Sequence, residues 1–226
     1  MNGNDLESVI ESVQDWGGPR SDTGHRSDTR TALVVSCSMS SCKPGGSLWP
    51  VDATWNVFSV RTLGNQTRER YEGKTVLDST IEHLRTRHDI TAVLVVGHTS
   101  CGVLEDAYER WVAPDSESPA GIEVRLDPLR SLVGDAFAEG VLAESLPLRT
   151  VRYRLVEYNV RRQVRFLQRA LPSSVTIAGY VHDQDGAYSS FPDKRYLVAL
   201  DGVTDPTTIR TRLPEGTSVR VASLLT

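Results

Sequence analysis

Two short, β-branched apolar runs dominate the chain: Thr31-Ala-Leu-Val-Val-Ser36 and Thr91-Ala-Val-Leu-Val-Val96. Apolar on every position rather than on alternate ones, each reads as a strand buried on both faces. Val57-Phe58-Ser59-Val60 is a third such run. Gly73 to Arg87 reads as a helix with Val76, Leu77, Thr80, Ile81 and Leu84 on one face. Strand, crossover helix and strand imply parallel pairing through a right-handed connection. Cys101 to Trp111 suggests another helix. From about Thr150 to Leu171, Val160, Val164, Leu167 and Leu171 form one stripe, while arginines opposed only by Glu157 form a solvated basic face.

Val175 to Val181 predicts a late strand and His182-Asp-Gln-Asp-Gly186 a turn. Tyr188 to Phe191 and Tyr196 to Leu200 predict shorter strands, so the sheet ends in antiparallel pieces. The predicted fold class is α/β, with a mixed, mainly parallel β-sheet flanked by helices. Residues 1–30 carry six acids against three arginines and form an N-terminal arm. Leu6, Val9, Ile10 and Val13 give its first part an amphipathic period suited to docking on the domain or on a second subunit. Residues 31–226 form a single domain. The stretch 112–148 within it is an insertion without a clear period, too long for a bare loop, and a helix is expected around Leu129 to Leu142.

Composition narrows the function. The 226 residues are 39% hydrophobic and 24% charged, which suits a globular chain. A formal net charge of −4 gives no bulk positive field for a nucleic acid backbone. No run approaches the roughly 18 apolar residues of a membrane span, and the first residues lack a signal peptide's pattern. A cytoplasmic protein with a small-molecule substrate is expected. Cys37, Cys42 and Cys101 cannot all pair with one another, so metal binding or catalysis accounts for them better than disulfides do.

Cys37 ends the first strand, and His98 and Cys101 follow the third. Carboxyl ends of parallel strands share one edge of a sheet, so residues 61 positions apart can meet there. Two thiolates and an imidazole suit zinc, and a fourth position left to water is a catalytic arrangement. Cys101 at a helix start is placed where amide groups favour a thiolate, and Gly102 would let the backbone approach. On spacing alone, two small buried thiols and a loop-capping histidine account for the same residues.

Five segments resemble the successive motifs of the β-class carbonic anhydrases. They are Cys37-Ser-Met-Ser-Ser41, Asn56-Val-Phe-Ser-Val-Arg-Thr-Leu-Gly-Asn65, Val95-Val-Gly-His-Thr-Ser-Cys-Gly102, Glu157-Tyr-Asn-Val-Arg-Arg-Gln-Val-Arg-Phe-Leu167 and Val175 to Gly186. The resemblance implies Zn2+ on Cys37, His98 and Cys101, and a homodimer or larger homo-oligomer. It also implies reversible hydration of carbon dioxide to bicarbonate by zinc-bound hydroxide. The family's first motif is Cys-x-Asp-x-Arg, in which the Asp accepts a hydrogen bond from the hydroxide or closes the metal site, and the Arg pairs with the Asp. Here those positions are Met39 and Ser41. A thioether is a weak, uncharged acceptor and cannot take the carboxylate's part.

Three readings follow from that departure. The chain hydrates carbon dioxide at reduced rate, with Ser38, Ser40 or Ser41 giving a replacement hydrogen bond. Alternatively the pocket, made more apolar by Met39, handles another small electrophile such as carbon disulfide or carbonyl sulfide, or the zinc is structural in a scaffold or sensor. Cys42 is a buried thiol, a fourth ligand or a redox partner of Cys37; Asp52 and Asp183 are candidate substitutes for the lost carboxylate. Asp183 also suits a turn. Arg61 and Asn65 could meet anions, although Gly64-Asn65 reads equally as a turn. His25, His83 and His88 read as exposed, His182 has no identifiable partner, and Trp16, Trp49, Trp55 and Trp111 read as packing residues.

Overall fold

The computed structural model describes residues 30–40, 55–114 and 119–225. The expectations for the arm before residue 30, and for Ser41, Cys42, Trp49 and Asp52, lie outside them. The described residues form seven strands, β1 (Arg30–Cys37), β2 (Trp55–Thr62), β3 (Arg68–Tyr71), β4 (Lys74–Leu77), β5 (Ile90–His98), β6 (Thr176–Asp183) and β7 (Lys194–Leu200), and five helices. The helices are α1 (Ser79–Arg87), α2 (Gly102–Val112), α3 (Ala120–Ala138), α4 (Leu148–Ala170) and α5 (Pro206–Arg212). The main sheet runs β2-β1-β5-β6-β7. Its first four strands are parallel and β7 is antiparallel to β6, the expected mixed, mainly parallel order.

Strand alternation divides the core. Leu33, Val35 and Cys37 of β1, with Val93 and Val95 of β5, face the side covered by α2, α3 and α4. Ala32, Val34, Ala92, Leu94 and Val96 face the side where Ile209 of α5 packs. α4 lies so close to the sheet that only glycine fits beneath it. A Cβ on Gly97 would come 2.8 Å from Val160 Cγ2, and one on Gly179 would come 2.7 Å from Val160 Cγ1. Gly179→Ala is therefore expected to destabilise the fold by about 1–3 kcal/mol. Denaturant unfolding checks this; an unchanged midpoint would mean that α4 yields freely.

Several local expectations are corrected. The segment expected to be helical from Gly73 is a β3–β4 hairpin followed by α1. Glu72 (φ 48°) and Gly73 (φ 76°) form a two-residue turn with both residues left-handed, and Asp78 Oδ1 accepts from the Thr80 and Ile81 amides to start α1. The helix in the insertion begins at Ala120, well before Leu129, and ends at Ala138, where Gly140 (φ 70°) breaks it. Leu142 is buried beyond that end. Residues 188–191 are not a strand, because the buried Asp183 carboxylate draws the chain around itself, accepting from the Ala187 (2.7 Å) and Tyr188 (2.9 Å) amides.

The basic face of α4 is only partly solvated. Arg152 pairs with Glu105, Arg161 with Glu157 at 2.6 Å, and Arg162 with Asp135 at 2.6 Å. Glu157 is wholly buried and also accepts from Tyr188 Oη (2.7 Å), Ser223 Oγ (2.8 Å) and the Leu224 amide (2.7 Å). That one carboxylate ties the end of the chain to the helix. No helix among the described residues is long and apolar enough to cross a membrane.

Candidate metal centre

Cys37, the last residue of β1, and His98, the last of β5, reach one edge of the sheet, and Cys101 caps the N-terminus of α2. All three are buried, and their ligand atoms lie within 4.8 Å of one another. The two sulfurs are 3.7 Å apart. The sequence-predicted set is thus brought together from two strand ends and a helix start. It is the one group of three or more metal-ligating side chains found among the described residues.

The imidazole shows how the site is prepared. Nδ1 donates to Gln184 Oε1 at 3.2 Å, which leaves Nε2 as the ring nitrogen available to a metal. Nε2 is buried and has no hydrogen-bond partner. A buried nitrogen left in this way is costly unless an electrophile takes it. The thiols are polarised: the bond from Cys101 lowers the Cys37 pKa to about 4, with help from His98 and against the effect of burial. Cys101 is driven up by the same contact and by burial, opposed by the Leu104 and Val103 amides. The helix start therefore acts on Cys101 as expected, yet the negative charge of the pair rests on Cys37. Two cysteine sulfurs and an imidazole nitrogen fit a divalent zinc ion, which displaces the protons its ligands carry on binding.

The supporting groups include residues that sequence reasoning missed. Gln184 falls within the segment predicted as a turn. Its backbone amide also donates to Thr99 Oγ1 at 3.0 Å, and Ser100 Oγ donates to both carboxylate oxygens of Asp185 at 2.8 Å. The loop carrying His98 and Cys101 is thereby joined to the end of β6. Gln184→Leu is expected to weaken zinc binding about 10–100-fold while leaving the ligands in place. Competition with a chromogenic chelator measures this, and unchanged affinity would remove Gln184 from the site.

Arg61 does not reach into the site. Its guanidinium donates to the carbonyls of Cys37 (3.2 Å), Ser38 (3.2 Å) and Ser40 (2.6 Å), holding the loop after β1. Met39 is 62% exposed, with its amide donating to Cys37 Sγ at 3.4 Å, so its side chain forms no buried wall. Gly64 and Asn65 occupy a turn with φ of 65° and 47°, as the simpler reading held; Asn65 is buried and accepts from Asn159 at 3.2 Å.

Asp183 is committed to the backbone bonds already described. Gly102 has open space where a Cβ would stand, so no protein atom there requires glycine. His83 is exposed, whereas His88 packs on Phe58 with ring centroids 4.4 Å apart. His182 has a partner after all, Asp193, at 3.5 Å. Trp55 is buried under Arg30, and Trp111 stacks on Phe137 at 4.4 Å.

Residues 32–179 match a family model described as carbonic anhydrase. The fold is similar to that of the β-carbonic anhydrase CafA of Aspergillus fumigatus, at 21% identity over 82% of each chain, TM-score 0.54. The Coccomyxa β-carbonic anhydrase in complex with acetazolamide matches at 19% identity over 83% of this chain and 79% of that one, TM-score 0.53. A β-carbonic anhydrase of Sordaria macrospora, one of two described as tetrameric, matches at 17% identity over 69% and 77%, TM-score 0.51. No curated protein matches the chain.

Proposed function

Because this chain belongs to the β-carbonic anhydrase family, we propose that it is a zinc protein that reversibly hydrates carbon dioxide to bicarbonate. The observation that carries the proposal is the buried Cys37, His98 and Cys101 triangle with its unpartnered Nε2. Zinc held there supplies a Lewis acid that lowers the pKa of a coordinated water toward about 7. The chain's own residues do the rest. Cys37 and Cys101 supply negative charge, His98 a neutral nitrogen, and Gln184 fixes the imidazole ring. Met39 stands in the carboxylate position and cannot orient the water as a carboxylate would, so turnover is slow for the family.

Thiol ligands suit a reducing compartment, and we place the protein in the cytoplasm. A homo-oligomer is part of the proposal. Trp111, Val112, Ile122 and Val124 leave apolar side chains exposed around the end of α2 and the start of α3, and the Sordaria relatives are described as tetrameric. Stopped-flow hydration of carbon dioxide by zinc-loaded protein, beside the same protein stripped with chelator, tests the activity. Acceleration that returns with zinc supports it; equal rates in the two samples would refute it.

A further inference from the structure

β3 and β4 form a cleft of about 420 Å³ with the last turns of α4. Strand alternation puts Arg68 and Arg70 on one face of β3, opposite Leu77 and Thr75 of β4, and Arg68, Thr75 and Leu77 all line the cleft. Phe166, Arg169 and Ala170 of α4 form the other wall. The Arg68 guanidinium lies over the Phe166 ring, 5.9 Å from its centroid.

The charges there are unbalanced. Arg162 is committed to Asp135 and Glu139, at 2.6 and 3.3 Å. Among the described residues neither the Arg68 nor the Arg169 guanidinium makes a hydrogen bond or an ion pair. Arg169 sits in the last turn of α4, where a cation suits the carbonyl end of a helix. That explanation does not extend to Arg68, which is partly buried. Burial, then Arg162 and Arg169, lower its pKa, with Asp135 opposing them. A desolvated cation beside a second unpaired cation is unfavourable in the free protein, and a bound anion relieves it.

We propose that this cleft binds a small organic phosphate, with Arg68, Arg169 and the Thr75 hydroxyl on the phosphate and Phe166, Leu77 and Ala170 against the organic body. Guanidinium forks match phosphate oxygens two at a time, and a dianion offsets both unpaired charges. The volume falls in the range of small-molecule sites and exceeds what a bare phosphate fills. The site is separate from the metal centre and shares no residue with it.

The test is calorimetric titration of phenyl phosphate into zinc-loaded protein at low salt, with inorganic phosphate and phenol as comparison probes. One-to-one binding is expected, weaker for inorganic phosphate and undetectable for phenol. Arg68→Gln and Arg169→Gln should each weaken it about tenfold or more with zinc content unchanged. Arg169 is exposed, so its replacement folds whatever becomes of Arg68→Gln. The absence of saturable binding, or binding that Arg169→Gln leaves intact, would overturn the proposal; the second result would place the anion at the metal instead.

Discussion

Cys101→Ala is expected to purify without stoichiometric zinc and to lose all metal-dependent hydration of carbon dioxide. A four-ligand structural zinc site is worth about 10–16 kcal/mol in total, so one protein ligand carries at least about 2.5–4 kcal/mol, or a loss of about 10²–10³ in affinity. Among the described residues only Cys37 and His98 lie within reach, so none of these can replace the sulfur. Nor does the loss end with the metal. The pair contact that holds Cys37 as a thiolate disappears, leaving that thiol to meet burial with only His98 and the Met39 amide in support. Elemental analysis of dialysed protein gives the result. Full retention of zinc would remove Cys101 from the ligand set, and hydration unchanged without zinc would sink the proposed function.

The parts of this site legible in sequence were those with a direct chemical signature. Two apolar runs, each ending in a metal-ligating side chain, fix β1 and β5, and their parallel pairing brings Cys37 to His98. The stripe on α4 was equally legible, because Val160, Val164 and Leu167 are spaced for one helical face. What escaped depended on partners distant in sequence. Gln184 carries no signal as a histidine-orienting group until β6 is laid beside β5, placing His182 opposite His98. Gly97 and Gly179 were invisible as a packing pair until the methyls of Val160 were seen above both. The hairpin was hidden for a different reason. Val76 and Leu77 at the end of β4 fall in phase with Ile81 and Leu84 of α1, so a period of 3.6 runs through a strand. The glycine turn at residue 73 and the cap at Asp78 were the signals against it.

Restoring the family's first motif, Met39→Asp together with Ser41→Arg, is expected to raise zinc-dependent hydration of carbon dioxide about 10²–10³-fold. That is the usual effect of one positioned group at a reacting centre. The expectation rests on how the loop is held. Arg61 anchors the carbonyls of Cys37, Ser38 and Ser40 from β2, so the backbone from Cys37 to Ser40 is held without a carboxylate at position 39. Met39 is mostly exposed, and replacing it leaves no cavity. The Met39 amide, which donates to Cys37 Sγ, is unaltered by the exchange. Met39→Asp alone should gain less, because a carboxylate without its arginine is less well oriented. Stopped-flow rates normalised to zinc content decide the matter. A large gain would mean that the metal centre is competent and that the missing pair limits its rate. No gain, with zinc fully bound, would mean that the site's surroundings no longer admit or orient carbon dioxide, so that the loss of the pair accompanied a change of substrate or of role.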